Sequence, residues 1–219
     1  IYVRQVTPMR TSNCSQSRSH SQSGRRAWLL TMPALLLFLG IFAYCNQSNS
    51  DEAPSLTEDE MRQRSLEVFA SFQEKLKGEL LSAIQAGGPA NAIEVCKTVS
   101  PEMEASTSAD QPYKLVRISD KPRNPEHAPD EFEAEILQLW EAQQANGQQP
   151  GVVSQATDAG FRVMKPIMIE GALCLQCHGN PAEMDPAVTA KLNEMYPEDQ
   201  ATGYAVGDLR GAFSMTWQK

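Results

Sequence analysis

Histidine and cysteine are scarce in this chain, which has three histidines and five cysteines among its 219 residues. The sequence has no Gly-rich phosphate loop, no Ser-His-Asp set and no H-E-x-x-H motif, and it has one C-x-x-C pair. It therefore shows no signature of a nucleotide-dependent enzyme, a serine hydrolase or a zinc protease. The few cysteines and histidines are left as the residues on which a function can rest.

Acidic residues are missing from the first 50 positions, where the charged side chains are all arginines. The rest of the chain has 14 basic and 27 acidic residues, a balance of −13, so the net charge of −8 hides an acidic body. Such a body is a poor match for the phosphates of nucleic acid or for anionic lipid headgroups. We expect no nucleic-acid partner.

Three segments precede the expected folded body, which comprises residues 57–219. Residues 1–26 form a basic tail with little apolar surface to bury, and we expect the tail to be disordered. Residues 27–45 are an uncharged apolar run directly behind two arginines, which predicts a signal peptide or a transmembrane anchor. Residues 46–56 are a polar linker.

The fate of the apolar run decides how the body is attached. Cys45 ends the run as a lipoprotein cysteine would, although Tyr44 before it is bulkier than the residue that lipoprotein processing favours. The sequence leaves cleavage, a lipid anchor and a transmembrane anchor open. In each case we expect the body in the periplasm or on the outer face of the membrane.

The body shows the patterns of both helices and strands. Thr57 and Glu60 form a capping box that begins a helix of about 29 residues, and Gly87-Gly88-Pro89 ends it. Further helices are predicted over 89–99, 130–146 and 187–196, and strands over 113–118, 160–169 and 211–217. This order predicts an α+β domain with a small, mainly antiparallel sheet packed against helices.

Two of the predicted helices carry apolar stripes. In the first helix the stripe consists of Met61, Val68, Phe69, Phe72, Leu76, Leu80 and Ile84. In the helix over 130–146 the residues expected to face inward are Phe132, Ile136, Leu139 and Trp140. Because these residues recur at helical spacing, we expect both stripes to supply the core.

The segment C-L-Q-C-H-G, residues 174–179, has the pattern of a c-type haem attachment site. Two thiols separated by two residues, Cys174 and Cys177, can each reach one vinyl group of a haem. His178 directly follows, so its imidazole can bind the iron as one axial ligand. The sequence therefore predicts one covalently bound haem c.

A C-x-x-C pair is also typical of a zinc site or a redox dithiol. A zinc site would need two further ligands, and Cys96 with His127 is the obvious pair. A redox dithiol favours a motif at the start of a helix that follows a strand, whereas Gly171 and Gly179 are expected to bracket a loop here. The adjoining His178 and the expected export favour haem.

The second axial position has several candidate ligands. Thiols outside the cytoplasm tend to form disulfides. With Cys174 and Cys177 used by haem, and with Cys45 at the membrane and Cys14 in the tail before it, Cys96 has no partner left. Cys96 is then either a small buried apolar side chain or an iron ligand. The competing ligands are His127, Met103, Met164, Met168 and Met184. These residues alone leave the alternatives open.

Four blocks of the sequence resemble a family of bacterial and cyanobacterial c-type haem proteins, a domain of unknown function with a PAS-like fold. The blocks are A-I-E-V-C-K-T-V-S-P-E (92–102), K-P-R-N-P with P-D-E-F-E (121–133), K-P-I with C-L-Q-C-H-G (165–179), and Y-P-E-D-Q-A-T-G-Y-A-V-G-D-L-R-G-A-F-S-M (196–215). They lie in the family's order and span the body.

The resemblance implies particular roles for residues of this chain. It makes His178 and Cys96 the axial ligands of the iron and gives the domain a PAS-like fold. It weighs against His127, because the family has asparagine at that position. It also places Arg210 at the wall of the haem pocket, where it can pair with a propionate; a surface salt bridge to Asp208 or Asp199 is the alternative.

These ligands imply a function. A thiolate opposite histidine favours ferric iron, so we expect a low-potential haem. We expect a redox or gas sensor in which carbon monoxide or nitric oxide replaces the sulfur after reduction, with a separate partner protein. An electron-transfer cytochrome of the cell envelope is the alternative. An enzyme such as a peroxidase is least favoured, because six-coordinate iron leaves no site for substrate.

Overall fold

The computed structural model describes residues 56–218. The predicted tail, the predicted signal or anchor segment and all but the last residue of the predicted linker therefore lie outside the described residues. None of the helices within residues 56–218 has both the length and the apolar character that a membrane span requires.

Helices and strands alternate along the described chain. They follow in the order α1 (Glu58–Glu94), a π-helical turn (Val95–Val99), α2 (Ser100–Ser108), β1 (Tyr113–Ile118), a 3-10 turn (Pro125–His127), α3 (Glu131–Ala145), β2 (Val153–Thr157), β3 (Gly160–Met168), α4 (Ala172–His178), α5 (Pro186–Met195) and β4 (Leu209–Trp217).

The four strands form one sheet in the order β1-β4-β3-β2, and every neighbouring pair is antiparallel. This architecture confirms the predicted α+β class with a small antiparallel sheet. Sequence analysis missed β2, because its segment V-S-Q-A-T is mostly exposed and has only one strongly apolar residue. β2 is an edge strand that pairs with β3 alone.

Helix α1 begins as predicted, with a capping box. The Thr57 side chain accepts from the Glu60 N–H, and the Glu60 carboxylate accepts from the Thr57 N–H at 2.8 Å. The predicted end at Gly87-Gly88 is a break inside a longer helical region, since both glycines have non-helical backbone angles. The helical path then continues through the π-helical turn to Ser108, beyond the end predicted near Val99.

The centre of the α1 stripe packs on one face of the sheet. Phe69, Phe72 and Leu76 are buried there, and the ring of Phe69 stacks on that of Phe213 at 5.4 Å. The other members of the stripe in this cluster, Met61, Val68 and Leu80, are partly buried. The stripe therefore supplies a large part of the core, as predicted.

Helix α3 covers the opposite face of the sheet, and here one core prediction is wrong. Leu137 is buried at 1% exposure, whereas Leu139 is 47% exposed. Glu133, Ile136, Leu137 and Trp140 are spaced by three, four and seven residues, so they share one side of the helix. Leu139 is three residues after Ile136 but is not three, four or seven residues from the other members of this set, so it lies beyond that side of the helix and faces solvent.

The segment between Gly171 and Gly179 is a short helix, α4, and the predicted loop is wrong. The two glycines flank the helix instead of bracketing a loop. Gly179 ends α4 in close contact: a Cβ at this position would lie 2.6 Å from the Leu175 carbonyl oxygen. The absence of a side chain there lets the chain leave the helix after only seven residues.

Candidate functional site

A cavity of about 590 Å³ lies between α1, the π-helical turn, the sheet and α4. All five site residues named from the sequence line it: Cys96, Cys174, Cys177, His178 and Arg210. They come from three separate parts of the chain. The cavity has the size of a typical site for a small molecule or cofactor.

Helix α4 places two thiols and an imidazole on the cavity wall. Cys174 and Cys177 are three residues apart, so their side chains lie on the same side of the helix. Neither is in a disulfide. Burial raises the pKa of the Cys177 thiol, against a smaller opposing effect of the Arg123 charge. Cys177 therefore holds its proton at neutral pH.

The ring of His178 is held by one hydrogen bond. Its Nδ1 lies 2.7 Å from the carbonyl oxygen of Ala201. A carbonyl can only accept, so the proton is on Nδ1. Burial lowers the pKa of His178 well below its ordinary value, and the nearby Arg123 and Arg210 charges lower it further. The ring is thus neutral, and its Nε2 keeps a lone pair that can bind a metal.

Cys96 lies in the π-helical turn between α1 and α2. π-helical turns occur often at functional sites. Cys96 and Cys177 both pack against an apolar cluster from α1 and α5 that includes Ile93 and Tyr196. Burial raises the pKa of Cys96, and the positive charge of Arg123 opposes this. Without a bound cation Cys96 is therefore a thiol and not a thiolate.

Arg210 is partly buried, and its guanidinium has no anionic partner within residues 56–218. Its Nε has no hydrogen-bond partner, and its Nη1 makes only a 3.4 Å contact with the Lys121 carbonyl. Asp199 is paired with Arg123, and Asp208 accepts from the Ala205 N–H. The salt bridge expected as the alternative is therefore not formed within residues 56–218, and Arg210 lines the cavity as an unpaired cation.

The competing axial ligands differ in where they lie. His127 is partly buried at the cavity wall, with its Nε2 3.3 Å from Glu104 Oε2. Met168 also lines the cavity. The other three methionines pack in apolar clusters away from the cavity lining: Met103, Met164 and Met184. Met168 is the methionine that the geometry leaves as a competitor.

The structure bears differently on the two other interpretations of the C-x-x-C pair, a zinc site and a redox dithiol. Across residues 56–218 no group of three or more His, Cys, Asp or Glu side chains is close enough to hold a metal ion, so a zinc site lacks its ligand set. The predicted loop, which had weighed against a redox dithiol, is absent, because α4 is a helix that follows strand β3. What distinguishes the site is that His178, Cys96 and Arg210 share its cavity.

Sequence analysis missed a buried network around Arg123. The Arg123 guanidinium donates to Asp199 Oδ2 at 3.1 Å, to the Ala201 carbonyl at 3.3 Å and to the Cys177 carbonyl. Asp199 Oδ1 accepts from the Ala201 N–H at 2.8 Å. Arg123 lies in the K-P-R-N-P block, but no sequence pattern connects it with residues about 76 positions later.

A second missed network holds Arg117, which also lines the cavity. Its Nε donates to Glu104 Oε1 at 2.8 Å, and its Nη2 donates to Ser100. Burial alone would raise the pKa of Glu104, but the hydrogen bond from His127 and the Arg117 charge outweigh burial, so the pKa is lowered. Glu104 is therefore a carboxylate that neutralises one cation at the cavity wall.

Comparison with known proteins identifies the family. The model of the Tll0287-like family matches residues 41–217, so the chain belongs to that family. Among solved structures, the chain is similar to one described as the crystal structure of the cyanobacterial heme-protein Tll0287. The two share 22% identity and a TM-score of 0.54, over 71% of this chain and 96% of the other, which shows a common fold. No curated protein matches the chain.

Proposed function

We propose that this member of the Tll0287-like family binds one haem covalently, as haem c, in the cavity beside α4. The observation that carries the proposal is the set of groups that meet there: two thiols, a neutral imidazole and an unpaired guanidinium. The relative of known structure is described as a heme-protein, which supports the same class of cofactor here.

Helix α4 supplies the covalent anchor. We assign Cys174 and Cys177 to the two vinyl groups: each S–H adds across a C=C bond, so one carbon takes the sulfur and the other takes the hydrogen. His178 supplies the first axial ligand through Nε2, because Nδ1 is committed to the Ala201 carbonyl. This hydrogen bond fixes the tautomer that leaves Nε2 free.

Arg210 fits the carboxylate end of a haem. Its buried Nε lacks a partner and no carboxylate of residues 56–218 pairs with it, so an anion in the cavity would satisfy it. A propionate can do so with a charge-assisted hydrogen bond. Arg117 and Arg123 also line the cavity, but each already has a carboxylate partner.

Cys96 is the second axial ligand in this proposal, with Met168 as the competitor. Burial raises the pKa of the Cys96 thiol, so its sulfur would release its proton to solvent only when a strongly positive ion binds it. A thiolate ligand stabilises ferric iron and lowers the reduction potential. The nearby Arg123, Arg117 and Arg210 charges favour the thiolate, which helps Cys96 to bind.

We infer that the protein is a redox or gas sensor with a PAS-like fold. A bound haem would supply one-electron chemistry and a place for carbon monoxide or nitric oxide. Cys96 would be the residue that switches: its sulfur would hold ferric haem as a thiolate, and it would take up a proton from solvent once an outside electron donor has reduced the haem. It lies in the π-helical turn between α1 and α2, so a change at the sulfur acts directly on both helices. An electron-transfer protein would instead keep the same ligands in both states.

The location and partner follow from the sequence and belong to the same proposal. The acidic body is placed outside the cytoplasm, in the periplasm or held at the membrane by residues 27–45. Its signal passes to a separate protein, and nucleic acid is not among the expected partners.

The first experiment tests covalent attachment. The protein is exported in a host that attaches haem c, and its denatured form is examined for haem by spectroscopy. We expect a c-type α band in the reduced protein, and we expect Cys174→Ser with Cys177→Ser to lose haem on denaturation. A colourless parent protein, or one that contains zinc, would overturn the proposal.

The second experiment identifies the sixth ligand with matched variants. Cys96→Ala removes the proposed sulfur, and Met168→Leu removes the competing one at the same cavity. We expect the electron paramagnetic resonance of the ferric protein to show the narrow g-value spread of thiolate ligation, lost only in Cys96→Ala. If Met168→Leu alone changes the spectrum, the ligand is methionine. Carbon monoxide binding to the reduced parent separates a sensor from a carrier.

A further inference from the structure

The hydrogen bond that orients His178 depends on a carbonyl in a loop. Ala201 lies in the segment between α5 and β4, which has no regular structure of its own. Backbone bonds dock this segment on the end of α4: the Gly203 N–H donates to the Gly179 carbonyl at 2.8 Å, and the Tyr204 N–H donates to the His178 carbonyl at 3.0 Å. Ala201 is completely buried.

Arg123 connects the three segments that meet at this point. It belongs to the loop after β1, it donates to the Cys177 carbonyl of α4, and it donates to the Ala201 carbonyl. Asp199 completes the network by binding the Arg123 Nε and the Ala201 N–H with its two oxygens. Arg123 and Asp199 are both largely buried, with side-chain exposures of 8% and 10%.

The Ala201 carbonyl oxygen therefore accepts two hydrogen bonds, from His178 Nδ1 at 2.7 Å and from Arg123 at 3.3 Å. A carbonyl shared with a guanidinium is held in place and gives up electron density to the cation. It is then a weaker acceptor for the imidazole. Without a ligand on Nε2, the fixed position of the carbonyl decides the tautomer of the ring. With a ligand on Nε2 the tautomer is already fixed, so the weaker acceptor has the remaining effect and His178 donates less charge to that ligand.

We propose that Arg123 is a positioning residue for His178. Its guanidinium holds the Ala201 carbonyl against Nδ1–H and so selects the tautomer in which Nε2 is free. The consequence for iron rests on the proposed function, whereas the tautomer is a property of the protein alone. Arginine suits this role because its planar group has donors on separate nitrogens, Nε toward Asp199 and Nη2 toward the Cys177 and Ala201 carbonyls, whereas all the donors of lysine are on one nitrogen.

The test uses the double variant Arg123→Met with Asp199→Asn. Removing Arg123 alone would leave Asp199 as a buried unpaired charge, whereas asparagine can still accept from the Ala201 N–H. The matched control is Arg162→Met with Glu133→Gln, which neutralises another buried pair that does not line the cavity. The conservative variant Arg123→Lys keeps the charge and loses the three-way contact.

The first measurement is made without haem, in the Cys174→Ser, Cys177→Ser background. Nitrogen-15 NMR of labelled histidine reports which ring nitrogen carries the proton, and the signals of His20, His127 and His178 are assigned by single substitutions. We expect the Nδ1–H form of His178 in the parent and in the control, and a mixture with the Nε2–H form in the double variant. We expect Arg123→Lys to lie between them.

The second measurement is the reduction potential of the haem-loaded proteins. We expect the double variant to favour ferric iron at least tenfold more than the parent, about 59 mV for one electron. The control should match the parent.

An unchanged His178 tautomer in the double variant overturns the proposal, whatever the potential does. If the double variant does not fold, the same tautomer measurement on Arg123→Lys decides the proposal. A parent without haem would refute the proposed function but would leave the tautomer test intact.

Discussion

An arginine on each face of the sheet differs from the other in its carboxylate partners. On the α3 face, Arg162 donates to Asp130 and Glu133 through its two Nη atoms, each at 2.6 Å. On the cavity side, Arg210 has no carboxylate partner within residues 56–218, and its Nη1 makes only a 3.4 Å contact with the Lys121 carbonyl. The Nε of each arginine is buried without a hydrogen bond, so the carboxylates are what distinguish the two. The first arginine is part of the finished core. The second is an unpaired cation at the cavity wall, and the proposed propionate would give it an anionic partner.

The apolar packing against the two faces also differs: it is continuous under α3 and is interrupted by the cavity under α1. Against α3, Ile136, Leu137 and Trp140 fill the space above the sheet. Against α1, the apolar packing of Phe69, Phe72 and Leu76 is followed by the cavity, and Leu76 and Leu80 are among the α1 residues that line it. We therefore expect substitutions on the α3 face to change the free energy of unfolding, and substitutions at the cavity to change chiefly the properties of the bound group.

The largest effect is expected for Arg162→Met on the α3 face. It leaves Glu133, which is almost fully buried, with no cation, and should lower the free energy of unfolding by about 3–5 kcal/mol. Urea denaturation gives the value. The added change Glu133→Gln should recover part of the loss, and a single variant as stable as the parent would show that this pair is not structural.

A comparable pair of variants tests the corrected packing of α3. Leu137→Ala opens a cavity under a residue that is 1% exposed and should cost about 2–5 kcal/mol. Leu139→Ala should change stability by no more than about 0.5 kcal/mol, because that side chain is largely exposed. Both variants are measured by thermal and by urea unfolding. If Leu137→Ala and Leu139→Ala lost the same stability, the orientation of α3 would be contradicted.

The cavity side has an acid-sensitive pair in Glu104 and Arg117. The pKa of Glu104 is lowered in the folded protein, so the unfolded state binds more protons and stability falls as the pH drops below about 4.5. Above that pH the contribution is fully present. Glu104→Gln should remove this part of the acid slope and cost about 1–3 kcal/mol at pH 7.

The check is the free energy of unfolding measured from about pH 2 to about pH 7, a range that includes the whole titration of a carboxylate whose pKa is lowered. Acid curves of equal slope for parent and variant would exclude Glu104 as the sensitive group.

The smallest effect on folding is expected for Arg210→Met, the counterpart of Arg162→Met at the cavity. Because no carboxylate of residues 56–218 loses a partner, haem-free protein should change by less than about 1 kcal/mol. The haem-loaded variant should show a lower potential, since the proposed propionate would keep its full negative charge beside the iron. A large loss of stability in the haem-free variant would mean that Arg210 is a core residue instead.

Much of the fold could be predicted because its signals are local. The capping box of Thr57 and Glu60 and the β-branched run of β1 depend on neighbours within a few positions. The errors occur where local patterns compete. Leu139 and Leu137 are both apolar, and only the position of the sheet shows which of them is inward. The glycines at 171 and 179 indicate boundaries without showing whether a helix or a loop lies between them.

The site also contains residues that local sequence predicted and residues that it could not predict. The motif of Cys174, Cys177 and His178 could be recognised from the sequence because all three lie within residues 174–178. The residues that support them, Arg123 and Asp199, could not be found, because they are far apart in sequence and common on protein surfaces. The signal was present only as an arginine between two prolines in K-P-R-N-P.

Composition and spacing by themselves determined that this chain has an acidic α+β body and a C-x-x-C-H segment suited to haem, because both depend on residue identity and short-range order. Only the tertiary structure brought Cys96 to the same cavity, left Arg210 unpaired and placed the Ala201 carbonyl on His178. Those facts depend on how distant segments pack, and packing is set by the three-dimensional fit of the whole sheet and its helices.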